Sequence, residues 1–174
     1  MTSENGGGRK EDSIGKSKRF VAAAIRPIVG GKDPLRVVEE FILRAGFDPE
    51  RCLKEKSGES FRWVLEISDG RELEIFADGI RKASETTVYL GVNIVTVPLR
   101  GAHELLVAAL EVADGLVGIK LSLVGHSLIL SSTLNGALLS LEELEFHYSL
   151  IVAQQEWFRQ ALASDLGVEA ALLP

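Results

Sequence analysis

The chain has few of the residues that build metal sites and covalent cross-links. Cys52 is its single cysteine, and His103, His126 and His147 are its three histidines. One cysteine cannot form an intrachain disulfide, and a free thiol is typical of a reducing compartment. Zinc needs about four convergent ligands, whereas these histidines include no i,i+4 pair and have no cysteine cluster beside them. We therefore expect neither a metal ion nor another cofactor.

Long apolar runs are also missing. No stretch approaches the roughly 18 consecutive apolar residues that cross a bilayer. The nearest candidate, residues 20–29, is interrupted by Arg26 and Pro27. Its unbroken part, Phe20–Ile25, is too short for the apolar region of a signal peptide, although basic residues precede it. These features predict a cytoplasmic protein without a membrane span.

Positive charge is in deficit over most of the chain. The formal net charge is −6 at pH 7, and residues 1–19 carry a local excess of two positive charges, which leaves −8 on residues 20–174. Because an acidic body repels phosphate backbones, we expect no nucleic-acid partner. Residues 1–19 are rich in glycine, serine and charge and cannot bury apolar area, so they are predicted to form a disordered basic arm.

Recognisable catalytic motifs are absent as well. Gly125-His126-Ser127 does not match the Gly-x-Ser-x-Gly nucleophile elbow, and Gly30-Gly31 lacks the Lys-Ser/Thr of a phosphate-binding loop. Glu66, Glu72 and Glu74 share one face of a predicted hairpin, which allows acid–base chemistry or a divalent ion. An exposed acidic face explains them more simply. We predict that the chain is not an enzyme and has no catalytic residues.

What the sequence does contain is enough apolar material for one domain. The chain has 174 residues, of which 46% are apolar, so a sizeable core is possible. A helix is predicted to begin at the N-cap Asp33 and end at Gly46, and a long one to run from the Ser140–Glu143 capping box to about residue 164. We expect an irregular lead-in over residues 20–32, one α+β domain over 33–166 and a C-terminal tail over 167–174.

Alternation of apolar and polar residues predicts the sheet. A hairpin spans residues 61–77, and a three-residue loop at 68–70 is favoured because it pairs Leu65 with Leu73, whereas a one-residue slip would reverse every side chain. A long central strand covers residues 85–98. A helix at about 103–114 and a second hairpin at 119–132, with a two-residue turn at Gly125-His126, follow. The predicted order is α-β-β-β-α-β-β-α, a mostly antiparallel five-stranded sheet with helices packed on it.

Several apolar residues alternate onto the face of this sheet that points away from the predicted core. They are Val64, Phe76, Tyr89, Val124 and Ile129. Two interpretations remain open. Either the N-terminal arm or residues 20–29 cover them, or they form a partner-binding face or a dimer seam.

The element order resembles the fold of class I type III secretion chaperones, which YbjN-like bacterial proteins share. The residues that carry the resemblance are 92–100 (VNIVTVPLR), which lead into a helix and a hairpin, and 139–144 (LSLEEL). The resemblance covers roughly residues 33–165. It implies a small acidic homodimer that binds a protein or peptide partner, by an added strand or in side-chain pockets. The alternative is a small-molecule or nucleotide sensor with a pocket between sheet and helices.

Overall fold

The structure is a computed structural model that describes residues 33–67, 70–79 and 86–167. The predicted basic arm, the lead-in and residues 168–174 lie outside the described residues. The elements in chain order are α1 (Pro34–Arg44), α2 (Pro49–Cys52), β1 (Leu53–Ser57), β2 (Ser60–Glu66), β3 (Glu72–Asp78), β4 (Thr87–Thr96), α3 (Ala102–Ala113), β5 (Lys120–Val124), β6 (Ser127–Asn135), a short 3-10 turn (Gly136–Leu138) and α4 (Leu141–Leu166). The α+β class is confirmed.

The strands form one antiparallel sheet in the order β1-β2-β3-β4-β6-β5. It has six strands, so the prediction of five was wrong by one. The additional strand is β1, whose sequence Leu-Lys-Glu-Lys-Ser has no apolar alternation. Among the described strands it pairs with β2, and four of its five residues are exposed. Its side-chain contacts include Leu53, which packs against the core, and Lys56, whose Nζ lies 5.2 Å from the centroid of the Phe61 ring.

The predicted registers of both hairpins are confirmed. Leu65 is opposite Leu73 in the first hairpin, and Leu123 is opposite Leu128 in the second. Gly70 and Gly125 have φ values of 71° and 60°, in the left-handed region that favours glycine. Residues 68 and 69 of the first loop lie outside the described residues. These registers place the paired leucines of both hairpins on the side of the sheet that the helices cover.

The helices pack on a single face of the sheet. α4 contacts α1 and α3 as well as β4 and β6, so it lies across the middle of the sheet. The largest fully buried side chains join all these elements in one core: Phe41 and Ile42 from α1, Trp63, Leu65, Leu73, Ile75, Leu90, Ile94 and Leu130 from the sheet, and Leu144, Ile151 and Phe158 from α4. We call the opposite face of the sheet the open face.

Local signals fix where the principal helices begin and end. The Ser140 hydroxyl accepts a hydrogen bond from the backbone N–H of Glu143 at 3.1 Å, and Gly167 ends α4 with a φ of 67°. The Asp33 carboxylate caps α1 by accepting from the N–H of Leu35 at 3.1 Å. Both starts agree with the sequence, because capping depends on residues within one helical turn. Of the helices in the described ranges, none has the length and apolarity of a bilayer span.

Candidate binding surfaces

The open face carries the five residues that the sequence singled out, but they do not form a continuous apolar patch. Phe76 is directly opposite Tyr89, whereas Ile129 lies beside Asn93 and Val124 lies at the end of β5. Phe76 and Val124 are exposed, and Tyr89 and Ile129 are half-buried. Their role in partner binding stays a prediction.

Val64 was expected to be exposed, and this was wrong, because only 8% of its surface is accessible. It is directly opposite Glu74, and Arg62 lies two residues away on the same face. Arg62 donates two hydrogen bonds to Glu74, from Nη2 to Oε1 at 2.6 Å and from Nε to Oε2 at 3.3 Å. These two long side chains, joined beside Val64, shield it from solvent.

A shallow trough runs across the middle of the open face. Its volume is about 410 Å³, and its lining includes one cation, Arg71, and two carboxylates, those of Glu72 and Glu74. Tyr89, Asn93 and Ile129 also line it. The ring of Tyr89 lies along its own strand over Gly91, so that a Cβ on Gly91 would be 2.6 Å from the ring atom Cε1. Glycine at this position therefore makes room for the aromatic ring, and partial burial raises the pKa of the Tyr89 hydroxyl.

The open face carries negative charge as well as apolar side chains. Glu66 is opposite Glu72, the like-charge pair that the predicted register implied. Arg62 forms an ion pair with Glu74. The hydrogen bonds between these two side chains are the main reason that the pKa of the Arg62 guanidinium is raised. The three glutamates therefore share a face, but one of them is already neutralised by an ion pair.

A second surface, which the sequence interpretation missed, lies on the helix side of the sheet edge. We call it the α3–β5 groove and define it by Leu106, Ala109, Leu110, Leu121, Leu123 and Leu128. Its volume is about 280 Å³. Leu110 is 69% exposed and Leu123 is 52% exposed, although both are leucines in regular structure. The signal that points to it is the run of six apolar residues at 105–110, since one helix face cannot bury them all.

The two edges of the sheet differ sharply. The β1 edge presents Lys54, Glu55 and Lys56 and has a bulge after Leu53, features that discourage pairing with another chain. At the opposite edge, Lys120 is the only charged residue of β5, which continues as Leu-Ser-Leu-Val. Within the part of the chain that the structure describes, β5 therefore combines an outer backbone edge that no strand pairs with and an apolar groove.

The titratable residues do not assemble into a reactive site in the described part of the chain. No group of three or more His, Cys, Asp or Glu residues is placed there to hold a metal ion. His103 and His126 are exposed, and His147 has its Nδ1 2.8 Å from the Ser132 hydroxyl. Cys52 is half-buried, and desolvation raises the pKa of its thiol.

Comparison with known proteins supports the fold. No family model and no curated protein matches the chain. A chain from the HopA1–SchA chaperone–effector complex has a TM-score of 0.50 and 16% identity, and the match covers 72% of this chain and 92% of that one. A chain from the ExsC–ExsE complex has a TM-score of 0.48 and 15% identity, covering 80% of this chain and 92% of that one. The first likeness confirms a chaperone-like fold, and the YbjN part of the resemblance stays a prediction.

The packing of Tyr89 over Gly91 yields a test. Gly91→Ala should lower the free energy of unfolding by about 0.5–1.5 kcal/mol, the cost of pushing a side chain away from its preferred rotamer, because the new methyl group collides with the half-buried Tyr89 ring. In a Tyr89→Ala background the same change should cost nothing or stabilise, since alanine suits a strand better than glycine. Urea unfolding of the four proteins measures this coupling. Equal effects of Gly91→Ala in both backgrounds would contradict the described position of Tyr89.

Proposed function

We propose that this chain is a non-enzymatic, cytoplasmic protein-binding module of the secretion-chaperone and YbjN-like type, which works as a homodimer. The observation that carries the proposal is the α3–β5 groove beside the unpaired edge of β5. The likeness to a chain from a chaperone–effector complex supports a protein partner. Groups for catalysis do not converge among the described residues, whereas apolar side chains remain exposed.

The sequence of β5 suits pairing with a second copy of itself. In an antiparallel pair centred on Ser122, Leu121 lies opposite Leu123 of the second copy, and Lys120 lies opposite Val124. The four leucines then meet on the helix side, next to Leu110 of each copy, and no two lysines face each other. The arrangement is self-complementary, as a two-fold interface requires.

Such a dimer covers the exposed edge of β5. An exposed apolar edge strand pairs with other chains indiscriminately unless it is covered. Two-fold pairing covers the β5 edges of both copies. The charged β1 edges then form the two ends of a doubled sheet. The α3–β5 grooves of the two copies close against each other, which removes Leu110 and Leu123 from water.

The open faces stay accessible in this dimer and lie on the same side of the doubled sheet. The partner segment is proposed to bind there, with apolar side chains against Phe76, Tyr89, Ile129 and Val124. The acidic residues around the trough and the net charge of −6 favour a segment that also carries basic residues.

Substitutions that introduce a negative charge into the α3–β5 groove test dimer formation. Leu110→Asp and Leu123→Asp should each convert the dimer into a folded monomer, because the carboxylate would be buried unpaired at the seam. Both side chains are exposed in the single copy, so folding should be unaffected. The measurement is sedimentation equilibrium, with Leu99→Asp, at an almost fully exposed position outside the groove, as the control. A wild-type protein that is monomeric at all concentrations would contradict the proposal.

Partner binding is tested on the open face. Phe76→Asp should reduce the amount of partner that copurifies from native cell extract while leaving the dimer intact, because it adds negative charge to an acidic surface. Leu138→Asp introduces the same charge at an exposed site beyond the sheet and serves as the control. Equal yields from wild type and both variants would count against the open face as the binding surface.

A further inference from the structure

A third exposed apolar feature runs along α4, on the side away from the sheet. Phe146, Leu150, Ala153 and Trp157 are spaced four, three and four residues apart, which aligns them on one helix face. Phe146 is 61% exposed and Trp157 is 44% exposed. We call these four residues the α4 stripe. It is about 17 Å long at 1.5 Å per residue.

The turn after α3 lies against one side of the α4 stripe and extends it. Gln154 holds this turn, since its Oε1 accepts from the N–H of Val117 at 3.2 Å and its Nε2 donates to the Val117 carbonyl at 2.8 Å. A Cβ at Gly115 would be 2.7 Å from the Trp157 ring. These contacts leave the Val117 side chain itself largely exposed beside the stripe. These contacts therefore hold the turn after α3 in place while the side chain of Val117 and the α4 stripe face water.

The charges of α4 are almost all negative. The helix carries Glu142, Glu143, Glu145, Glu156 and Asp165. Arg159 is its only Lys or Arg residue, and it is engaged in a hydrogen bond to the Ile94 carbonyl. Glu145 and Glu156 are already paired with Arg44 and Arg71, and the helix surface remains net negative with these two arginines included. An apolar stripe on such a surface fits a segment that is apolar in its middle and basic around it.

The same chain contains one such segment. Residues 16–19 are Lys-Ser-Lys-Arg, and residues 20–25 are Phe-Val-Ala-Ala-Ala-Ile, followed by Arg26. We infer that residues 20–29 cover the α4 stripe, with the cations of residues 16–19 and Arg26 near the carboxylates of α4. This docking is independent of the dimer and of partner binding, and it assigns residues 20–29 to α4 rather than to the open face.

The path of α1 makes this location accessible. The rings of Phe41 and Tyr148 are 5.4 Å apart, and Arg44 Nη1 is 3.5 Å from Glu145 Oε1, so α1 runs antiparallel to α4. The N-cap Asp33 therefore lies on the helix side of the sheet, towards the Trp157 end of the stripe. Residues 20–32 span up to roughly 45 Å when extended, enough to cross one helix and follow the stripe. The open face would require a path around the sheet edge.

Tryptophan fluorescence tests this inference on the full-length protein. The chain has two tryptophans, and Trp63 is buried in the core, so acrylamide quenching reports on Trp157. We expect weak quenching in the wild type and a several-fold larger quenching constant in the Phe20→Asp/Ile25→Asp variant. A variant with Lys16, Lys18 and Arg19 changed to Glu should show the same increase. Thr2→Asp/Ser3→Asp adds equal charge outside the segment and should behave as wild type, and Trp157→Phe gives the baseline.

Two outcomes would overturn the inference. One is equal quenching in the wild type and in both segment variants, which would mean that residues 20–29 do not cover Trp157. The other is quenching that rises on dilution of the wild type, which would assign the stripe to a second copy. Dimer formation and partner copurification are measured in separate experiments. A negative quenching result would therefore leave the proposed function intact, and a negative result in those experiments would not change the interpretation of the quenching data.

Discussion

The structure depends on burial of only one face of its sheet. Trp63, Leu65, Leu73 and Ile75 alternate onto the side that α1, α3 and α4 cover, and the helices leave the opposite side open. A sheet built in this way has two edges and one uncovered face that face water, and each must be made compatible with it. The two edges and the open face meet this requirement in different ways. Charges and a bulge protect β1, and the Arg62–Glu74 ion pair covers part of the open face. β5 is mostly apolar, and no described strand pairs with its outer edge.

Part of the exposed apolar surface lies where binding would complete the sheet. The α3–β5 groove sits beside a backbone edge that still has hydrogen-bonding capacity, so a second strand satisfies both the backbone and the leucines. The open face, in contrast, offers a shallow acidic trough with an aromatic ring and an isoleucine at its sides. The first surface suits a permanent contact between identical copies, and the second suits a transient contact with a mixed apolar and basic segment.

Much of this fold follows from local patterns in the sequence. The pairing of Leu65 with Leu73 was predictable because any slip would expose the whole strand, and the start of α4 was predictable because Ser140 and its capping partner are close in sequence. β1 was missed because Lys54, Glu55 and Lys56 are all charged and exposed, so the strand shows no alternation of apolar and polar residues. The exposure of Val64 was misjudged because alternation assigns a face but does not reveal that Arg62 and Glu74 cover it. The α3–β5 groove depends on how far α3 extends over the sheet edge, which is a tertiary property.

Backbone hydrogen exchange of β5 as a function of protein concentration tests the central claim most directly. Among the described residues, the amides of β5 that point away from β6 have no strand partner, whereas in the proposed dimer they bond to the second β5. We expect the protection of these β5 amides to rise over the concentration range in which the dimer forms, while the protection of β4 in the sheet centre stays constant. Rapid exchange of the outward β5 amides at every concentration would contradict it.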